Sequence, residues 1–313
     1  MPRSLNENKL ANLDLNLLVS LDALLQERSV SRAAARLGLS QPSLSAALAR
    51  LRRHFRDELL DRVGNRYELT PLAMQLAEQT TSAMAAVARV FASEPDFDPA
   101  TAEREFTVMI SDYAITVLGP TLAELLQHAP NIRLRMPRVS TPAVDAAAEA
   151  LRTIDAIVLP HGYLSDLPSA RLFTDRWVCI VPAVDGGIGE HLTMSDLERL
   201  PMIMTYQAPT AYTPAGKQLS LLGVQPRVQL VAETFLAVPF LVSAGNGVAI
   251  IQERLARPLA AAAGVRVLPC PFEVPALMEA LWWHPMYQHD PGHRWLRQLF
   301  TEAAQQLPTD CQA

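Results

Sequence analysis

Leu17, Leu18, Leu21, Leu24 and Leu25 recur at three- and four-residue spacing between residues 13 and 28 and predict a helix with one apolar stripe. A short helix follows over 31–37, with Ala33, Ala34 and Leu37 inward, Arg32 and Arg36 outward, and Gly38 as its stop. Ser40 reads as the N-cap of a third helix, with Pro42 in its first turn, where a missing N–H costs nothing. That helix runs to about Phe55. It buries Leu44, Leu48, Leu51 and Phe55 and turns Ser43, Ala46, Arg50 and Arg53 outward. Val63-Gly64-Asn65-Arg66 marks a tight hairpin turn. Thr70-Pro71 opens a long helix to about residue 92, striped by Leu72, Leu76, Met84, Val87 and Phe91. The acidic, proline-bearing stretch 93–105 reads as a linker.

Beyond it the pattern alternates. Strands are predicted over 106–110, 132–136, 156–159, 178–181, 202–205, 228–231, 248–251, 265–268 and 278–283, with helices such as 118–128, 144–152 and 235–243 between them and a closing helix over 292–306. Alternation of this kind predicts α/β layers built on largely parallel sheets.

Composition supports a globular protein of two or three domains: 313 residues, 50% hydrophobic and 19% charged. No apolar run reaches membrane-spanning length, and residues 1–9 are polar, so neither a membrane span nor a secretory signal is expected. Three widely spaced cysteines, Cys179, Cys270 and Cys311, argue against a disulfide framework and suit the cytoplasm.

The net charge of −5 alone speaks against a nucleic-acid partner, but its distribution reverses that reading. Residues 1–90 carry +3 and the remainder −8, and between Arg28 and Arg66 nine arginines stand against three acids. Helix, short helix, tight turn, helix and hairpin form a winged helix-turn-helix. Ser40, Gln41, Pro42, Ser43 and Ser45 occupy the first turns of its recognition helix, where short polar side chains reach base edges or phosphates. Arg32, Arg50, Arg53, Arg62 and Arg66 are candidates for phosphate contact, the last two from the wing.

These residues carry a specific resemblance. S-x-x-A-A-x-x-L, the S-Q-P-S-x-S run at 40–45, the L-x-x-L-R spacing after it and the wing ending E-L-T-P together resemble the DNA-binding domain of LysR-type transcriptional regulators. FTVMISDY at 106–113 and W-H-x-x-Y-x-x-D-P-x-x-x-W-L-R at 283–297 resemble the branch that contains the nodulation and salicylate-pathway regulators, whose members respond to aromatic or phenolic inducers. Three positions depart from the family pattern. Ser43-Leu44 follows the proline, Leu59-Leu60-Asp61-Arg62 stands in the wing, and Ala46 replaces a common arginine.

The resemblance implies an α+β multi-domain chain. A DNA-binding domain (1–70) is followed by a dimerising linker helix (71–92), a hinge (93–105) and an effector-binding domain (106–313). That last domain would be a periplasmic-binding-protein-like pair of α/β subdomains, the first over 106–182 and 266–313, the second over 183–265. The chain would cross between them near Pro182 and near 264–268. A homodimer or homotetramer would bind an interrupted palindrome in double-stranded DNA and engage RNA polymerase, under the control of a small aromatic or phenolic acid in the cleft. Candidate cleft residues come from strand ends: Ser111, Asp112, Pro160, His161, Thr205, Thr234 and Phe235. A helix N-terminus at 111–112 would hold an acidic group of the ligand, and Phe235 would stack on its ring. The plainer expectation is that Ser111 or Asp112 caps its helix and that Phe235 is core.

No cofactor is implied. His284, His289, Asp290 and His293 crowd together but lack metal-ligand spacing, and Trp282, Trp283 and Trp295 read as packing. The glycine-rich run at 185–189 does not open a helix, and no hydrolase, P-loop or zinc motif is present, so an enzyme is not expected. The competing reading is a small-molecule binding protein whose N-terminal segment only dimerises. The arginine cluster and the wing weigh against it.

Overall fold

The computed structural model describes residues 14–63, 66–91, 97–184, 188–205, 213–245 and 247–308. The chain divides into two compact units, 1–93 and 94–313.

In the first unit each helix is defined by its ends. Asp14 caps α1 (Leu15–Glu27), and Arg28 terminates it at φ 47°. Ser29 caps α2 (Val30–Leu37), which ends where Gly38 turns to φ 65°, a conformation glycine adopts without steric cost. Ser40 caps α3 (Gln41–Phe55). Leu21, Leu24 and Leu25 of α1, Ala33 and Ala34 of α2, and Leu44, Leu48 and Leu51 of α3 share one core. The wing is β1 (Leu60–Val63) paired antiparallel with β2 (Arg66–Leu69). The predicted turn residues Gly64 and Asn65 lie outside the described residues. Thr70 donates its hydroxyl to Asp57 at 2.6 Å and accepts the amide of Ala73 at 3.1 Å. It thereby fixes the start of α4 (Pro71–Phe91), whose Ala73 is fully buried in the same core.

The second unit contains two main sheets. The first joins β3 (Arg104–Met109), β4 (Ile132–Arg135), β5 (Ala156–Pro160), β6 (Ser169–Asp175) and β12 (Leu277–Trp282) in the order β4-β3-β5-β12-β6. The second joins β7 (Trp177–Pro182), β10 (Ala249–Gln252) and β11 (Val265–Pro269) in the order β10-β7-β11. A parallel pair, β8 (Pro201–Thr205) and β9 (Arg227–Ala232), touches the latter through a bridge from Met202 to Val248. Around these lie α5 (Asp112–Leu125), α6 (Thr141–Asp145), α7 (Ala147–Ala150), α8 (Met194–Arg199), α9 (Pro214–Leu221), α10 (Val238–Gly245), α11 (Glu253–Ala263) and α12 (Pro291–Gln305).

The expectation of largely parallel sheets is corrected. β3 runs parallel to β4 and β5, but β12 is antiparallel to β5 and β6, and the β10-β7-β11 sheet is wholly antiparallel. The strands that carry the chain between sheets run against the strands of the βα units. They also move the crossings. β7 pairs with β11 from Pro182↔Val265 to Val178↔Pro269, so both lie in the second sheet. The chain therefore changes sheets between Asp175 and Trp177 and again between Pro269 and Leu277, not near Pro182 and 264–268.

Strand β6 was absent from the sequence reading because four of its seven residues are polar. Helix α5 starts six residues before the predicted 118, where Ser111 caps it. The predicted helix over 144–152 is broken at Ala146 into α6 and α7. The cysteines are distant only in sequence: the free thiols of Cys179 and Cys270 lie 3.8 Å apart.

Candidate functional site

The outer face of α3 is polar and exposed. Ser40, Gln41, Pro42, Ser43 and Ser45 are all exposed at its N-terminal end, as are Arg50 and Arg53 further along. Two of these side chains also serve the helix. Ser40 Oγ accepts the Ser43 amide at 3.3 Å and lies 2.7 Å from Ser43 Oγ. The arginines differ in how far they are engaged. Arg32 pairs with Glu27 at 3.4 Å, and Arg50 with Asp14 at 3.2 Å. Among the described residues Arg53 meets only the Ala49 carbonyl, at 3.4 Å. Arg62 is exposed on the wing, and Arg66 is placed there by its backbone pairing with Val63. Arg52 faces inward instead, donating to the carbonyls of Glu58 and Leu60, and so braces the base of the wing.

In the second unit a cavity of about 100 Å³, partly open to solvent, lies between the two sheets. Its position between two layers and its aromatic lining suit a small organic ligand. Its walls come from both sides: Ser111, Tyr113, Tyr163 and Glu279 from the first sheet and its helices, Trp177, Gln252 and Phe235 from the second. Four aromatic side chains thus face one space. The rings of Tyr113 and Phe235 meet edge to face with centroids 6.2 Å apart, a favourable aromatic geometry.

Of the expected cleft residues, Ser111, Pro160 and Phe235 line this cavity, and Asp112, His161, Thr205 and Thr234 do not. Ser111 also caps α5 by accepting the Ala114 amide at 3.1 Å. Asp112 cannot present its helix end to an acidic ligand, because its own carboxylate occupies that position. It accepts the Thr234 hydroxyl, the Leu236 amide at 3.1 Å and the Tyr113 amide at 3.0 Å. The Asp112–Thr234 pair instead ties α5 to the loop before α10. Arg138, bridged to Ile110, makes a second tie by donating to the Glu233 carbonyl at 3.2 Å. His161 is exposed and packs edge-on against Trp282 at 5.0 Å. Thr205 is buried at the end of β8.

Sequence reasoning missed Tyr113, Tyr163, Trp177, Gln252 and Glu279. Glu279 had a legible signal: it is the one acid in the otherwise apolar strand LMEALW. It is 3% exposed, and burial together with the neighbouring Asp175 charge pushes its carboxyl up to about 8. Asp175 is 1% exposed, and burial raises its carboxyl too. Unlike Glu279 it is well supplied with donors, from Tyr113 Oη at 2.6 Å and the amides of Arg176 at 2.7 Å and Arg254 at 3.1 Å. Burial, and then Glu279, pushes the Tyr163 phenol up to about 12.

The histidine-rich C-terminal motif is structural. His293 is fully buried and stacks on Tyr287 at 4.8 Å. Its Nε2 lies 2.8 Å from the Asp155 carbonyl, and Arg297 lies 2.9 Å from its Nδ1. Asp290 caps α12 and takes both arms of the Arg104 guanidinium at 3.0 and 3.1 Å. His284 caps the turn at 285–287. Trp282 donates to the Leu159 carbonyl at 2.9 Å within the core.

Comparison with known proteins agrees with this architecture. Residues 15–74 match the bacterial regulatory helix-turn-helix protein, lysR family, and residues 100–305 match the LysR substrate binding domain. Nodulation protein D 2 of Rhizobium tropici is 33% identical over 297 residues, covering 93% of each chain. The HTH-type transcriptional activator NagR of a Ralstonia species is 31% identical over 298 residues, covering 94% of this chain and 98% of that protein. Among solved structures, a probable transcriptional regulator from Pseudomonas aeruginosa superposes with a TM-score of 0.71 at 28% identity, over 94% of this chain and 98% of that one. CbnR in complex with its target DNA shares the fold, with a TM-score of 0.64 at 18% identity over 94% and 99% of the two chains. Among the described residues no helix is long and apolar enough to cross a membrane. A helix-turn-helix domain followed by a substrate-binding domain, with relatives that are regulators rather than enzymes across nearly the whole length, places this chain in the LysR family of transcriptional regulators.

Proposed function

We propose that this protein is a cytoplasmic, homo-oligomeric regulator whose activity at its operators is set by a small aromatic or phenolic ligand held between the two sheets of its effector domain. The observation that carries this reading is the cavity itself, walled by Tyr113, Tyr163, Trp177 and Phe235 and reached from both sheets. A ligand held there touches both subdomains, so it binds their two arrangements unequally. That inequality is what lets it shift an equilibrium.

On the DNA side, Gln41, Pro42, Ser43 and Ser45 enter the major groove with Ser40 at the helix end. Arg32, Arg50, Arg53, Arg62 and Arg66 contact phosphates. Affinity then falls steeply with salt as counterions are released. Helix α4 (within 71–92) pairs two chains, and 93–105 serves as the hinge. Paired recognition helices match an interrupted palindrome, because protein symmetry sets half-site symmetry. The edge strand β9 supports a further contact between copies: Leu230 and Val231 are 44% and 51% exposed. RNA polymerase is the partner through which the bound oligomer acts.

The test is selection of genomic fragments by the purified protein at physiological salt, with and without a mixture of aromatic compounds. The expected result is enrichment of a few promoter fragments that share a dyad, with a footprint altered by the mixture. Retention without sequence preference would leave a binding protein without specific DNA recognition.

A further inference from the structure

Among the described residues, four buried side-chain polar atoms have no hydrogen-bond partner: Trp177 Nε1, Gln252 Oε1, Glu279 Oε2 and Arg266 Nε. The first three belong to residues that line the effector cavity. Trp177, Gln252 and Glu279 are 6%, 2% and 3% exposed, so bulk solvent does not serve them. Native proteins pair nearly all such atoms, and a cluster of exceptions around one cavity calls for a ligand's own polar groups.

The complement can be read atom by atom. The indole N–H of Trp177 needs an acceptor, and the amide oxygen of Gln252 needs a donor. A hydroxyl supplies both, a carboxylate only acceptors and an ammonium only donors. Among the described residues no lysine, arginine or histidine lines the cavity, so none of them compensates a ligand's negative charge there. The charged and titratable groups around Glu279 are Asp175 at the end of β6, Tyr113 of α5 and Tyr163 after β5, while Arg254 of α11 faces Asp175 and Tyr113. Asp175 has three donors and Glu279 Oε2 has none, so Glu279 is the member of the acid pair that holds a proton. A neutral carboxyl both donates and accepts, which again matches a hydroxyl.

We infer that the cavity selects an uncharged ligand bearing a hydroxyl group, and that Trp177, Gln252 and Glu279 are the residues that make the selection. This rests on the reading of the cavity as the effector site. It narrows that reading, because an aromatic acid would enter only in its protonated form.

The experiment uses the full-length protein and three probes on one ring system: 2-naphthol, 2-naphthoate and naphthalene. Binding is followed by calorimetry and by thermal shift. The expected result is that 2-naphthol binds at least tenfold tighter than either other probe at pH 7. Apparent 2-naphthoate affinity should fall about tenfold per pH unit between pH 5 and 7 as the free acid disappears, while 2-naphthol binding stays level. Trp177→Phe and Gln252→Leu should each weaken 2-naphthol about tenfold and leave naphthalene unchanged. Val144→Trp, which fills the cavity, should abolish binding of all three. Equal or tighter binding of 2-naphthoate at pH 7, lost in Val144→Trp, would overturn the selection of uncharged ligands and leave the cavity as the effector site. Binding of no probe, or binding that persists in a folded Val144→Trp protein, would overturn the effector-site reading and this inference with it.

Discussion

The phenol of Tyr113, in the first turn of α5, donates a 2.6 Å hydrogen bond to Asp175 at the last residue of β6. Two residues later the chain has entered β7 and the other sheet. The remaining bonds to Asp175 come from the amides of Arg176, inside the crossing, and Arg254, at the start of α11. One carboxylate therefore fastens a helix of the first subdomain, the connecting segment and a helix of the second, directly behind the cavity wall. Burial, reinforced by the Asp175 charge, keeps the phenol protonated well beyond the ordinary tyrosine range. Tyr113→Phe should cost about 1–3 kcal/mol in chemical denaturation, the range for leaving a buried acceptor short of its donor. A change under about 0.5 kcal/mol, the size of a bland surface substitution, would show that the bond does not hold the crossing.

Glu279 and His293 give the effector domain opposite pH responses. The folded Glu279 carboxyl sits at about 8 against an ordinary 4.5, so the native state binds more protons than the unfolded chain between those values. Stability from this group is complete below about pH 4.5 and is lost as pH rises toward 8. Burial depresses His293 to about 4, so its contribution is lost as pH falls below about 6.5. Of these two groups only Glu279 contributes a slope between about pH 6.5 and 8, with a ceiling near 1.4 kcal/mol per pH unit. Thermal melts of the wild type should therefore fall across that window. Glu279→Gln, which cannot ionise, should flatten them and raise the melting temperature at pH 8. An unchanged slope in the variant would assign the titration elsewhere.

The DNA-binding unit was largely legible in the sequence because its determinants are local. Gly38, Ser40 and Thr70 sit at helix ends where short-range rules apply, and each caps or terminates the helix expected of it. The cavity was not legible, for a topological reason. Looking for ligands at strand C-termini presumes parallel strands, whereas Trp177 begins a crossover strand and Glu279 lies within an antiparallel one. Thr205 and His161 satisfy the rule and stand apart from the cavity. Asp112 and Thr234 resembled ligand contacts because each is a polar residue at an element end. Only the fold, which joins positions 122 residues apart, shows that they satisfy each other. The C-terminal Trp-His-Tyr-Asp-Arg pattern has a packing origin as well: Tyr287, His293 and Arg297 stack and bond around Asp155, while Asp290 holds Arg104.

Arginines on the DNA-binding unit should not contribute equally. Arg50 and Arg32 must give up Asp14 and Glu27 before meeting a phosphate, whereas Arg53 gives up only a weak bond to its own helix. Arg53→Ala should weaken binding to all sequences alike and lower the salt slope by about one. Arg32→Ala should have the smaller effect. Ser43→Arg, on the exposed first turn of α3, should change sequence preference while leaving the melting temperature unaltered. Fluorescence anisotropy over a salt series, with specific and scrambled duplexes, separates the two behaviours. Equal slopes for wild type and Arg53→Ala would remove Arg53 from the phosphate contacts.

The Asp112–Thr234 pair links the two subdomains beside the cavity without lining it, so breaking it should alter the response to effector rather than the binding site. Asp112 also accepts the Leu236 amide, and Arg138 makes a parallel tie to the Glu233 carbonyl. The loop over 233–236 is thus held to the first subdomain by two side chains, and Phe235 within it forms part of the cavity wall. Thr234→Val keeps the shape and removes the hydroxyl. It leaves Asp112 with the Leu236 and Tyr113 amides only. Amide hydrogen exchange at Leu236 should accelerate about tenfold, which corresponds to about 1.4 kcal/mol of lost local stability, and the effector concentration needed for half-maximal response should rise. Operator affinity without effector should stay within twofold of wild type, because the recognition helix lies in a separate unit. Loss of both activities together would identify the pair as a folding element. Unchanged exchange at Leu236 would mean that Arg138 alone holds the loop.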